Sequence, residues 1–164
     1  MFAGGVTPGA LSGLEFITIA SQGNAVDYGD LLTTNNKECD STSNSVRGIV
    51  AGGSPAQNVI QQFNIATGGN TTDFGDLLAA TNSGALNSGS HGGLNEGYQG
   101  TKFNYFTTGK PVPRGGGVGD LSVKVGGEGS SAVALIGFNL ISTAGNENFF
   151  GDLTNGARYD QIGS

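Results

Sequence analysis

Phe16-Ile17-Thr18-Ile19-Ala20-Ser21-Gln22-Gly23-Asn24-Ala25-Val26-Asp27-Tyr28-Gly29-Asp30-Leu31 returns from Phe63 to Leu77 as FNIATGGNTTDFGDL. A decayed copy, YFTTGKPVPRGGGVGDL, runs from Tyr105 to Leu121, and FNLISTAGNENFFGDL runs from Phe138 to Leu153. The Gly-Asp-Leu marks start at 29, 75, 119 and 151, giving spacings of 46, 44 and 32. The first two spacings suit one four-stranded propeller blade, and the last is about one strand pair short.

A second mark precedes each copy. It is Met1-Phe2-Ala3-Gly4-Gly5 in the first and Val46-Arg47-Gly48-Ile49-Val50-Ala51-Gly52-Gly53 in the second. His91-Gly92-Gly93-Leu94 and Ala132-Val133-Ala134-Leu135-Ile136-Gly137 are looser versions. Each unit therefore reads as an apolar run ending in Gly-Gly, a loop, an alternating strand, a Gly-Asn turn and an aromatic-Gly-Asp-Leu strand. Period-two alternation in Phe16–Ala20 puts Phe16 and Thr18 on one face and Ile17 and Ile19 on the other. Gly23-Asn24, Gly69-Asn70 and Gly145-Asn146 supply the positive φ of a tight hairpin connection. Gln57–Gln62 is too short for an amphipathic helix and leads directly into a strand, so it reads as β.

Composition agrees with a folded, turn-rich, all-β chain. Glycine is 31 of 164 residues, far above the usual share of about 7 %. Charged residues are only 12 %, which argues against a solvated disordered chain. A net charge of −6 with seven Lys and Arg leaves no basic stripe, so no nucleic-acid partner is expected. No run approaches the roughly 18 apolar residues of a membrane helix, and Met1–Gly5 carries no secretory signal pattern. An extracellular life would then begin by lysis or as part of a virus particle.

The Gly-Gly after an apolar strand, followed by an alternating strand and an aromatic finish, resembles the kelch repeat of β-propellers. Tyr28, Phe74 or Phe150 would stand where that repeat usually carries tryptophan. Arg47–Gly53 and Gly69–Leu77 are similar to the kelch-like repeat proteins of tailed phages that infect marine cyanobacteria, whose units look like RGVFAGG and TGNATDFGDLT. The resemblance implies a kelch-like propeller-type array of about four short blades, with units at roughly 1–34, 46–81, 91–124 and 132–157. Closure would come from the C-terminal segment Thr154–Ser164, which resembles the strand missing before Met1, or from another chain. It also implies a non-enzymatic virion protein decorating the capsid or tail. The alternatives are a phage adhesin for host surface glycans and a protein-interaction propeller. Partners would be other virion proteins, further copies of the chain, or a host glycan.

No catalytic, cofactor or metal site is expected. Asp30, Asp76, Asp120 and Asp152 recur once per unit and could form a cation site in a ring, but turn capping suits them better because the dense ligand run of calcium loops is missing. His91 lies in a Gly/Ser loop without a nucleophile elbow. Lys110–Gly117 lacks the phosphate-loop frame and reads as an insertion in a decayed unit. Cys39 has acidic neighbours that raise a thiol pKa, so it reads as a small buried residue. The candidate partner surface is Tyr98, Lys102, Phe103 and Tyr105, in the unit that departs furthest from the repeat; Phe103 and Tyr105 share a strand face. Strands are expected at 16–20, 46–51, 59–66, 134–141 and the Gly-Asp-Leu segments. The expected core is Phe16, Ile17, Ile19, Ile49, Ile60, Phe63, Ile65, Leu77, Leu135, Ile136, Phe138 and Leu140.

Overall fold

A computed structural model describes residues 1–5, 8–9, 11–33, 38–44, 46–88 and 121–157. They form strands and no helix, in three antiparallel sheets. The first sheet contains Phe2–Ala3 (β1), Gly13–Phe16 (β2) and Val26–Asp30 (β3). The second contains Asp40–Ser43 (β4), Arg47–Ala51 (β5), Gln57–Asn64 (β6) and Thr72–Thr81 (β7). The third contains Ala85–Ser88 (β8), Leu121–Val125 (β9), Val133–Leu140 (β10) and Asn148–Ala157 (β11). Every sheet is a meander, with strands side by side in chain order.

The three sheets repeat one another residue for residue. Leu14 pairs with Gly29, Ile60 with Gly75 and Ile136 with Gly151, and in each sheet the register slips just beyond that pair. The residue left over at each slip is the aromatic Tyr28, Phe74 or Phe150. A bulge that recurs at one place bends each strand alike and re-aims that aromatic ring. The di-glycine recurs too, with φ of 65° and 128° at Gly4-Gly5, 68° and 135° at Gly52-Gly53, and 60° and 118° at Gly126-Gly127. Only glycine adopts such a pair at little cost. Its first N–H caps the next strand each time, Gly4 to Gly13 O, Gly52 to Val59 O and Gly126 to Leu135 O, at 2.9 to 3.0 Å.

This register bears on several expectations. Of the roughly four expected short units, the described residues form three sheets, and 91–120 of the expected third unit lie outside the described residues. The end of the expected third unit, Leu121–Lys124, pairs with β10 of the fourth in one sheet. Leu121 opens β9, the counterpart of β5, and the di-glycine of that sheet is Gly126-Gly127; Ala132–Gly137 lies at the entry and in the body of the following strand. His91-Gly92-Gly93 and Gly119-Asp120 lie outside the described residues. Residues 89–120 number 32 and stand between β8 and β9, which pair directly; without them Gly75 and Gly151 would be 44 positions apart, close to the 46 between Gly29 and Gly75. Of the segment Thr154–Ser164, expected to complete the first sheet, Thr154–Ala157 continues β11 in the third, and 158–164 lie outside the described residues. Gly145 does not share the positive φ of Gly23 and Gly69.

The strand expected at 16–20 ends at Phe16, because the chain turns at Ile19–Ser21, as it does at Ile65–Thr67 and Ile141–Thr143. Structural equivalence then runs without a gap from Leu14 to Gly29 and from Ile60 to Gly75, so Phe16 matches Gln62 rather than Phe63. A shift of one residue exchanges the faces of a strand. Ile17, Ile19, Ile65 and Leu140 are accordingly exposed rather than core. Phe16, Phe63, Leu135, Ile136 and Phe138 are half-buried, and Ile49, Ile60 and Leu77 are buried as expected.

The core consists of two layers between sheets. Leu14, Leu31 and Val50 join the first sheet to the second, with Tyr28 and Phe63 packed around them. Ile49, Ala51, Ile60, Phe74, Leu77 and Ile141 join the second to the third. Neighbours Ile49 and Val50 thus serve opposite faces, as strand alternation requires. Only glycine fits where the layers touch. A Cβ on Gly29 would stand 2.5 Å from the carbonyl of Gly69, and one on Gly75 would stand 2.8 Å from the Asn146 nitrogen and against the Gly145 carbonyl. Gly75→Ala should therefore cost about 2–3 kcal/mol in urea denaturation, whereas Gly9→Ala, in open space, should leave the midpoint within about 0.5 kcal/mol.

Candidate functional site: the junctions between sheets

The Gly-Asp-Leu segment of one sheet and the Gly-Asn turn of the next form a repeated junction. At the first, Gly69 N–H donates to Tyr28 O at 2.9 Å and Thr71 N–H to Asp30 O at 2.8 Å. Asp30 N–H donates in return to Asn70 Oδ1 at 3.0 Å. At the second, Glu147 N–H donates to Asp76 O at 2.7 Å, and Asp76 N–H to Asn146 Oδ1 at 3.0 Å. The asparagine acts through its side chain, and the glycine of the facing Gly-Asp-Leu, Gly29 or Gly75, admits the turn. Tyr28 adds a further tie, donating its hydroxyl proton to Asn64 O while accepting Gly68 N–H at 3.1 Å.

One backbone donor beyond each Gly-Asp-Leu is met by a side chain whose origin changes between junctions. Leu32 N–H donates to Gln61 Oε1 at 2.7 Å and to Thr71 Oγ1 at 2.6 Å. Its counterpart Leu78 N–H donates to Glu147 Oε2 at 2.8 Å. Glu147 stands at the position of Thr71, and Gly137 at that of Gln61. The Glu147 side chain lies over Gly137, where a Cβ would collide with its carboxylate. A Gln–Thr pair and a Gly–Glu pair therefore fill the same space.

The second junction also buries charge. Lys124 occupies the position of Val50, buried at 4 % exposure. Its ammonium donates to Gly126 O at 2.9 Å and stands 3.7 Å from Asp40 Oδ2. Burial pushes the Glu147 carboxyl pKa upward, against the lowering effects of the Leu78 N–H and of Lys124. Among the described residues, Glu147 Oε1 and Thr81 Oγ1 find no hydrogen-bond partner. The cavity they share with Lys124 is about 10 Å³, room for at most one water. A larger apolar cavity of about 270 Å³ lies between the first two sheets, lined by Met1, Ala3, Leu14, Ile49 and Phe63 among others.

The expected partner residues Tyr98, Lys102, Phe103 and Tyr105, with His91 and Asp120, lie outside the described residues. Asp30, Asp76 and Asp152 are exposed, and no cluster of metal-ligating side chains occurs among the described residues. Asp30 accepts the Ser12 hydroxyl at 3.0 Å, while the turn-type bond to a backbone N–H two residues on is made by Asp27 to Gly29 at 3.2 Å. Cys39 is half-buried; desolvation raises its thiol pKa first and Asp40 adds to it. The paired role of Gly-Asn and Gly-Asp was missed in the sequence, although their joint recurrence is its signal. No protein-family model matches the chain, and no curated protein matches it.

Lys124→Met should lose about 3 kcal/mol in urea denaturation, because the shape is kept while Asp40 and Glu147 lose their buried counter-ion. Glu147 holds its proton to higher pH in the fold than its ordinary 4.5, so stability should fall as pH rises from 4.5 through the raised value. Glu147→Gln should flatten that slope and exceed the parent protein at neutral pH in thermal melts.

Proposed function

We propose that this chain is a non-enzymatic structural protein of a phage particle, a kelch-like propeller-type module that decorates the capsid or tail. The observation that carries the reading is that the residues repeated from unit to unit are spent on joining one sheet to the next. Further support comes from the layout. In each sheet the di-glycine follows the strand before the central hairpin, and the aromatic-Gly-Asp-Leu lies on the last strand, in the order that the resemblance implies. A module of this kind works by presenting surface.

A second reading, an adhesin for host surface glycans, is favoured by the 32 residues between the paired strands β8 and β9, which carry Tyr98, Lys102, Phe103 and Tyr105. Insertions in repeat proteins collect on one face, often the binding face. Quantifying the protein in purified particles, with labelled electron microscopy, tests both readings. Hundreds of copies over the shell support decoration, a few to a few dozen at the tail support the adhesin, and absence from particles overturns both. Replacing Phe103 and Tyr105 with Ala should abolish attachment while leaving the β spectrum unchanged.

A further inference from the structure

We propose that copies of this chain associate head to tail, the third sheet of one copy seating the first sheet of the next through the junction that the chain already uses twice. Among the described residues three sheets make two junctions, and the matching half-junctions on the outer faces of the first and third sheets are exposed. On the third sheet these are Phe150, Gly151, Asp152 and Leu153; on the first they are Phe2, Glu15, Ile19 and the Gly23-Asn24 turn. The inference stands without the virion reading, since it rests only on the repeated geometry.

Equivalent positions show what the free halves lack. Phe2 occupies the place of Val50 and Lys124; those are 1 % and 4 % exposed, whereas Phe2 is 56 % exposed. Ile19 occupies the place of Ile141, fully buried against the second sheet, yet Ile19 is 88 % exposed. Phe150 is the counterpart of Phe74, and their exposures are 68 % and 3 %. Each of these side chains is apolar, and Val50, Phe74 and Ile141 are covered by a neighbouring sheet, while Ile65, the second-sheet counterpart of Ile19, stays 38 % exposed.

The polar half of the junction is complete as well. A Cβ on Gly151 would meet nothing within 4 Å, whereas the matching close approaches at Gly29 and Gly75 admit no Cβ. The Asp152 N–H would donate to Asn24 Oδ1, as those of Asp30 and Asp76 do to Asn70 and Asn146. Ala25, at the place of Thr71 and Glu147, carries no acceptor. Glu15, at the place of Gln61, does, and its carboxylate would accept the Thr154 N–H of the neighbouring copy as Gln61 accepts that of Leu32. The two halves belong to different surfaces, so the contact is heterologous and builds a ring or a filament. Two copies supply six sheets, within the usual four to eight of a propeller.

Mixed crosslinking tests this. One chain carries Asn24→Cys and another Asp152→Cys, both in a Cys39→Ser background and both checked for an unchanged β spectrum. Disulfide dimers should form on oxidation in the mixture and in neither chain alone. Dimers of a single variant would indicate a two-fold contact and overturn the proposal, as would the lack of any crosslink. In sedimentation the parent protein should run as multiples of the 16.4 kDa chain, with Gly151→Val and Ile19→Asp as monomers of unchanged β content. A monomeric parent at tens of micromolar, or variants that assemble as the parent does, would overturn it.

Discussion

The close approach of one sheet's last strand to the next sheet's turn is the constraint on which the rest of the structure depends. Gly29 lies against Gly69, and Gly75 against Gly145, with no room for a side-chain carbon. At that distance backbone groups can bond across the gap, and the asparagine after the second glycine supplies the acceptor. The apolar layers then close around the contact: Leu14, Leu31 and Val50 on one side, Ile60, Phe74 and Leu77 on the other. Hydrophobic burial gives the layers their strength, but it does not fix direction. The glycine contact fixes the register in which they meet.

The second junction shows how much variation that contact tolerates. Where the first uses Gln61 and Thr71, the second uses a single Glu147 lying over Gly137. The carboxylate brings a desolvation penalty that a neutral amide would not. Lys124, standing where Val50 stands in the second sheet, offsets part of it and is itself held by Asp40 and Gly126. The charges form one connected set, so their contributions are coupled rather than additive.

Much of the fold was legible in the residues: the all-β class, the unit of Gly-Gly, alternating strand, turn and aromatic strand, and the buried Ile49, Ile60 and Leu77. What misled was local. Aligning Phe16 with Phe63 is the natural choice by eye, yet the bulge and turn positions show Gln62 to be the partner. A conspicuous Gly-Asp-Leu at 119–121 hid the true di-glycine at 126–127, which follows the strand Leu121–Val125, whose apolar run is broken by Ser122 and Lys124. Burial at Ile19 and Ile65 could not be judged from alternation, since it depends on which sheet stands in front of each turn. Which residues make the junction follows from the geometry of facing sheets, since Gly29 and Asn70 are 41 positions apart.

Among the described residues, the middle sheet is packed on both faces, with Val50 turned to one neighbour and Ile49 to the other. In arrays where each unit leans on its neighbours, stability is roughly a sum of unit and interface terms. Thermal opening then works inward from the ends. Amides of β5 and β6 would be the last to exchange with solvent, while those of the short β1 would exchange early through local fraying. In a single copy the described sheets would then differ in persistence, the middle one lasting longest.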